Sequence, residues 1–214
     1  MLKSMLASFV GLLCLVLTPF IAWSADSPQR PYVLLDNSLS RLRADFNANA
    51  GKVRMLYIVG PTCGICLRGL SDLQDAIYAK KNDDPRLVTF VVHVPTLGAR
   101  EKNVAPASKI VSNAYTTNYW EETGIIGKLM QQAMGAEIYL WDFWTIYDPQ
   151  AVWSDEHQMP VPSFWQHQLP RMPSDRFLNA DVFAAQVDAL LDRVPASTEQ
   201  PRSAASAGGS TGQR

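Results

Sequence analysis

The chain reads as an α/β protein with a central mixed β-sheet and helices on both faces. Three observations predict this. Residues 52–59 and 87–94 are apolar runs of strand length, separated by a segment of helical periodicity. Such a strand–helix–strand unit makes the two strands parallel and their crossover right-handed. Residues 138–147 form a third β-prone run, rich in aromatic and β-branched side chains. Amphipathic segments at 123–134 and after Asn179 supply further helices.

In chain order, residues 36–49 predict a short helix, because Leu39, Leu42 and Phe46 recur at three and four residues. Residues 52–59 are apolar at Val53, Met55, Leu56, Tyr57, Ile58 and Val59, on both faces, which places this strand in the middle of the sheet. Gly60-Pro61-Thr62 turns the chain. Residues 63–80 carry Cys66, Leu70, Leu73 and Ile77 on one helical stripe, and Asn82-Asp83-Asp84-Pro85 ends that helix. The strand at 87–94 stops at Pro95. Residues 96–118 read as irregular. Ile125, Ile126, Leu129, Met130 and Ala133 define the next helix, with Gly135 as its C-terminal cap. Asp148-Pro149 turns the chain after the β-prone run, and Ala151-Val152-Trp153 return as a hairpin. Asn179 caps a closing helix that points Val182, Phe183, Val187, Leu190, Leu191 and Val194 inward.

Cys63-Gly64-Ile65-Cys66 falls at the first strand-to-helix turn. Unpaired N–H groups at a helix start stabilise a thiolate, the form of cysteine that attacks disulfides and binds soft metals. A bridge across two intervening residues closes a tiny loop and constrains the unfolded chain little. The pair therefore suits a reactive dithiol better than a structural staple. The third cysteine, Cys14, lies in an apolar run at 5–22, preceded by Lys3 and followed by the small residues Ala22, Ser24 and Ala25. A charged start, an apolar middle and a small-residue exit make residues 1–25 a secretory signal peptide, with an uncleaved anchor as the alternative. Export to the periplasm is the expected location. Residues 26–194 form one domain, and 195–214, rich in Ser, Ala and Gly, read as a disordered tail.

Of 214 residues, 19 are basic and 20 acidic, for a formal charge of −1. No basic surplus marks a nucleic-acid partner. No segment beyond the first is apolar for long enough to span a bilayer.

A strand, a CxxC at a helix start, a parallel strand, a helix, a β-hairpin and a final helix together resemble the thioredoxin fold, over about residues 36–194. Pro61-Thr62-Cys63-Gly64-Ile65-Cys66 is the specific part of the likeness. Residues 141–149 and 164–169 are also similar to a group of secreted bacterial thioredoxin-like proteins. The resemblance implies an exported thiol–disulfide oxidoreductase with no cofactor. It would act on protein thiols or disulfides and exchange electrons with a membrane thiol-redox partner. It also implies an exposed, attacking Cys63 and a less exposed Cys66 that resolves the mixed disulfide. The chain departs from the pattern at three places. Thr62 stands where thioredoxin has Trp. Tyr57 stands where it has a buried Asp, so another base must serve. Residues 136–147 lack the proline that the family holds in cis at the start of its antiparallel strand, and Pro160 and Pro162 lie beyond it.

Other residues complete the candidate set. His93 ends the second parallel strand, at the sheet end that faces ligands in open α/β sheets. There it either assists Cys63 or simply bonds a loop. Tyr57 and Thr62 are the other auxiliary candidates. His157 and His167, with two thiolates, would suit Cu(I) or Zn(II), so a metal-handling or purely binding protein is the alternative function. No second CxxC or His-x₃-His completes such a set, and Met159 and Met172 read as packing. Trp120, Trp141, Trp144, Trp153 and Trp165 either dock a partner or build the faces of the sheet, and their alternation favours the faces. Peroxidase chemistry fits poorly, because Gly60 stands where peroxiredoxins place a threonine.

Overall fold

A computed structural model describes residues 30–81, 83–111 and 113–195. The expected signal peptide with Cys14, and the tail from 196 onward, lie outside the described residues.

The chain runs β1 (Val33–Leu35), α1 (Ser40–Ala48), β2 (Val53–Val59), α2 (Gly64–Leu73), α3 (Ala79–Lys81), β3 (Leu87–His93), α4 (Val104–Ala107), β4 (Thr116–Glu121), α5 (Ile125–Met134), β5 (Phe143–Tyr147), β6 (Phe164–His167) and α6 (Ala180–Leu191). One six-stranded sheet has the order β1-β4-β3-β2-β5-β6. β1, β4, β3 and β2 are parallel, and β5 and β6 run antiparallel to their neighbours. The βαβ unit of the sequence is thus present, with Val53 opposite Leu87 and Val59 opposite His93.

β2 is buried along its whole length, as expected of a strand covered on both faces. Met55, Tyr57 and Val59 point to one core with Leu70 of α2 and Phe183 and Val187 of α6. Leu56 and Ile58 point to the other, with Leu42 and Phe46 of α1 and Ile126 and Met130 of α5. The two-face helix arrangement follows directly from this alternation. Asn179 caps α6 by accepting the Val182 N–H at 3.1 Å, and Gly135 ends α5 at φ 61°. Val182 itself is 45% exposed rather than inward, because it sits in the capped first turn.

Several elements differ from the sequence reading. β1 was not anticipated, and β4 lies in and beyond the stretch read as irregular. The hairpin partner of β5 is β6, not 151–153. That short segment spends its backbone groups elsewhere: Trp153 N–H and C=O bond the Asn47 side chain, and the Ala151 carbonyl accepts from Arg54. β5 itself begins only at Phe143, because Asp142 adopts a left-handed φ of 52° that breaks the extended run. The helix after the dithiol contains a π-turn, Gln74–Tyr78, before α3. The turn lets Ala76, Ile77 and Tyr78 all face the core, where the Tyr78 hydroxyl pairs with Tyr57 at 3.0 Å and Thr89 at 2.8 Å.

Candidate active site

β2 delivers the chain to the C-terminal end of the sheet, and Gly60 turns it. The Gly60 carbonyl accepts the Cys63 N–H at 3.0 Å, which sets the turn. Cys63 is extended (φ −82°, ψ 110°) and caps α2 with its own sulfur, which accepts the Cys66 N–H at 3.3 Å. A sulfur here occupies the place of the usual Ser or Asp oxygen. Both cysteines are free thiols.

Cys63 is not the open thiol that the resemblance implies. It retains only 3% of its surface, and Cys66 none. The reason is crowding at Gly60: a Cβ there would lie 2.4 Å from Thr96 Oγ1, 3.3 Å from Cys63 Cβ and 3.5 Å from the Trp141 ring. The loop after β3 and the segment before β5 therefore close on the turn, while Thr62, Gly64 and Ile65 stay exposed around it.

The third member of the site is Asp142, which neither spacing nor resemblance singled out. Its carboxylate and the two sulfurs offer ligand atoms all within 4.8 Å of one another. Asp142 immediately precedes antiparallel β5, the place where the thioredoxin pattern calls for a cis-proline. Among the described residues there is no cis peptide bond. Asp142 Oδ1 accepts the Trp144 indole N–H at 3.1 Å. Gln168, just past β6, holds the same carboxylate: with its amide nitrogen rather than its oxygen turned toward Asp142, the side chain donates to Oδ1 at 2.9 Å and to the Ile65 carbonyl at 3.2 Å. Its backbone N–H also donates to the Asp142 carbonyl at 3.0 Å. One glutamine thus ties the CxxC turn, Asp142 and β6 together. Oδ2 is left without a nitrogen or oxygen donor, in a residue only 1% exposed.

Burial dominates the electrostatics. It raises the Asp142 carboxyl from 3.8 to about 6, against donation from the Cys66 thiol and Trp144. Burial, then the Asp142 charge and the bond to Cys63, push the Cys66 thiol well above its ordinary value.

Helix α2 approaches this network through Gly69. A Cβ there would lie 2.7 Å from the Trp144 ring and 2.9 Å from both the Gln168 side chain and Leu178. Gly69→Ala is therefore expected to cost about 1–3 kcal/mol by overpacking, read as a lower urea midpoint. A midpoint equal to wild type would show that α2 does not pack against Trp144 and Gln168 this tightly.

The other sequence candidates are placed as follows. Tyr57 is fully buried, with its hydroxyl committed to Tyr78 and Met55, and its ring packs 5.1 Å from Trp144. Thr62 is exposed on the turn. His93 is fully buried, with Nε2 at 3.0 Å from Asn118 Oδ1, and burial lowers its pKa to about 4, so it is neutral at pH 7. His167 is buried, with one ring nitrogen paired with the Pro173 carbonyl and the other accepting the Leu169 N–H. His157 is exposed beside Glu156. Among the described residues the donor cluster at the sulfurs contains Asp142 and no histidine. Trp144 and Trp153 are buried core, and Trp120 nearly so. The one signal for Asp142 in the sequence is a charge inside an aromatic, β-prone run, Trp141-Asp142-Phe143.

No protein-family model matches the chain, and no curated protein sequence does. Several solved structures resemble it. A candidate protein disulfide isomerase of Bacteroides thetaiotaomicron is 15% identical, with 69% of this chain and 78% of that chain covered and a TM-score of 0.45. A secreted Mycobacterium tuberculosis disulfide oxidoreductase homologous to E. coli DsbE is also 15% identical, with 67% and 85% covered and a TM-score of 0.40. The exposed lipoprotein thioredoxin Etrx1 of Streptococcus pneumoniae is 17% identical, with 67% and 88% covered and a TM-score of 0.41. Likeness at this level concerns chain path, and the strand pairings themselves carry the assignment. Parallel β2 and β3 flank the dithiol helix, antiparallel β5 and β6 follow, and α6 closes one face, so this chain has a thioredoxin-like fold with its CxxC at the N-terminus of α2.

Proposed function

We propose that this protein is an exported thiol–disulfide oxidoreductase acting on protein thiols or disulfides. The carrying observation is the pair of free cysteines at the start of α2, with both sulfurs and the Asp142 carboxylate inside 4.8 Å. In the reductive direction, the Cys63 thiolate attacks a substrate disulfide, forming a mixed disulfide and releasing one substrate thiolate. Cys66 then gives its proton to Asp142 and attacks Cys63 Sγ. That step breaks the mixed disulfide, releases the second substrate thiolate and leaves a Cys63–Cys66 disulfide. Two electrons pass from the dithiol to the substrate. The oxidative direction is the same sequence reversed, and a membrane thiol-redox partner restores the starting state. Asp142 takes the role that the resemblance assigns to a buried acid at the Tyr57 position. The exposed Thr62, Gly64 and Ile65 frame the approach to Cys63.

The test is turnover of a disulfide-bonded protein such as insulin, with a thiol reductant as electron source. Cys63→Ser is expected to abolish exchange. Cys66→Ser is expected to form a mixed disulfide with substrate that persists and is visible on a non-reducing gel. Exchange by Cys63→Ser at the wild-type rate, or none by the wild type, would remove the proposal.

A further inference from the structure

A buried carboxylate without a cation is expensive, and such groups in proteins are paired or bind metals. Asp142 is 1% exposed, and among the described residues no salt bridge reaches it. Its fixed partners, Trp144 and Gln168, both bond Oδ1 and aim the carboxylate, leaving Oδ2 without a nitrogen or oxygen donor. Two cysteine sulfurs share its neighbourhood, with all three donor atoms inside 4.8 Å. In a tetrahedral zinc site, with Zn–S near 2.3 Å and Zn–O near 2.1 Å, donor atoms are separated by about 3.5–3.8 Å. The 4.8 Å bound on the cluster exceeds that spacing by about 1 Å, so the three side chains would draw together on binding.

We propose that the reduced protein binds one Zn²⁺ through Cys63 Sγ, Cys66 Sγ and a carboxylate oxygen of Asp142, with water in the fourth position. Two thiolates and one carboxylate form a borderline donor set. It is too soft for Mg²⁺ or Ca²⁺, and its hard oxygen suits Zn²⁺ better than Cu(I). In the metal-handling alternative His157 and His167 are the candidate third ligands; here that place falls to the carboxylate just before β5. Binding displaces the thiol protons to solvent and involves no electron transfer. The same sulfurs cannot be disulfide-bonded and metal-bound at once, so Zn²⁺ would hold the pair reduced and oxidation would expel it. This site uses the sulfurs of the exchange reaction but none of its steps, so either proposal can fail alone.

The test titrates Zn²⁺ into reduced, chelator-stripped protein against a chromophoric zinc chelator, with Co²⁺ as a spectroscopic substitute. The expected result is one equivalent bound, with thiolate-to-cobalt charge-transfer absorption and tetrahedral d–d bands. Cys63→Ser and Cys66→Ser should lose the charge-transfer signature. Asp142→Asn should bind at least about 10-fold more weakly. The disulfide form should not bind. X-ray absorption of the wild-type zinc complex, which depends on no variant, should show two sulfur and two oxygen neighbours. Four sulfurs, meaning a site shared between two molecules, would overturn the proposal. So would failure of the reduced wild type to compete with the chelator, or an Asp142→Asn affinity equal to wild type.

Discussion

Asp142→Asn is expected to slow resolution of the mixed disulfide by about 100-fold while making the protein more stable at neutral pH. The kinetic half of this prediction follows from Cys66. Burial, the Asp142 charge and the bond to Cys63 keep its sulfur protonated, and a thiol does not attack a disulfide. The proton needs a nearby acceptor, and the Asp142 carboxylate lies within 4.8 Å of the Cys66 sulfur. Asparagine keeps the shape and the Trp144 bond but accepts no proton. The wild-type resolution rate should therefore rise as pH passes through about 6, where the Asp142 carboxyl ionises. The variant should lack that rise. Single-turnover rates with a model disulfide, measured from pH 5 to 8, would decide it. A variant within a few-fold of wild type, with the same pH profile, would exclude Asp142 as the acceptor.

The stability half follows from linkage. Folding raises the Asp142 pKa from 3.8 to about 6, so ionisation opposes folding. Stability is fully present below about pH 4, is lost as pH rises toward 6, and stays lower above that. A rise of this size corresponds to about 3 kcal/mol. Asparagine, which does not ionise, removes the loss. The variant should therefore exceed wild type in urea midpoint at pH 8, and the gap should close near pH 4. The comparison requires reduced, metal-free protein. An unchanged gap across that range would show that the carboxyl is not held in the unfavourable environment described.

Arg54→Met is expected to destabilise the fold by about 3–5 kcal/mol. Arg54 is fully buried in β2, and burial lowers its pKa without removing its charge at neutral pH. Its guanidinium donates to the carbonyls of Phe46, Asp148, Pro149 and Ala151 at 2.8–3.1 Å and lies 4.3 Å from the Phe46 ring centre. One side chain thus joins the end of α1 to the loop after β5. Methionine fills much of the volume but leaves four carbonyls without that donor, and water would have to enter the core edge to satisfy them. Urea unfolding of the variant should show a large fall in midpoint with a similar slope. A midpoint near wild type would mean that the carbonyls find other donors at little cost.

The elements legible from the chain are those whose signals are local. β2, β3, α5 and α6 follow from apolar period, the Gly135 stop and the Asn179 cap, all within one or two turns of the residues they govern. The CxxC was legible for the same reason, since Cys63 and Cys66 share one helical turn. β1, β4 and β6 were not. Thr116–Glu121 mixes polar and aromatic residues because only part of it is buried, and its strand character comes from pairing with β3 on one side and β1 on the other. Residues 151–153 carried a hairpin signal, yet their backbone groups were claimed by Asn47 and Arg54, so β6 took the place beside β5.

The amino-acid order on its own set the layers, the parallel pair around the first crossover and the position of the dithiol, because short-range periodicity and helix-end chemistry dictate them. Folding in three dimensions decided how deeply Cys63 sits and which group faces its partner sulfur. Asp142 reaches the cysteines only because β5 pairs antiparallel with β2 and a left-handed turn at its start points the carboxylate toward α2, with Gln168 of the next strand's end holding it there. Contacts between residues so far apart along the chain are set by strand pairing and packing, and no local pattern encodes them.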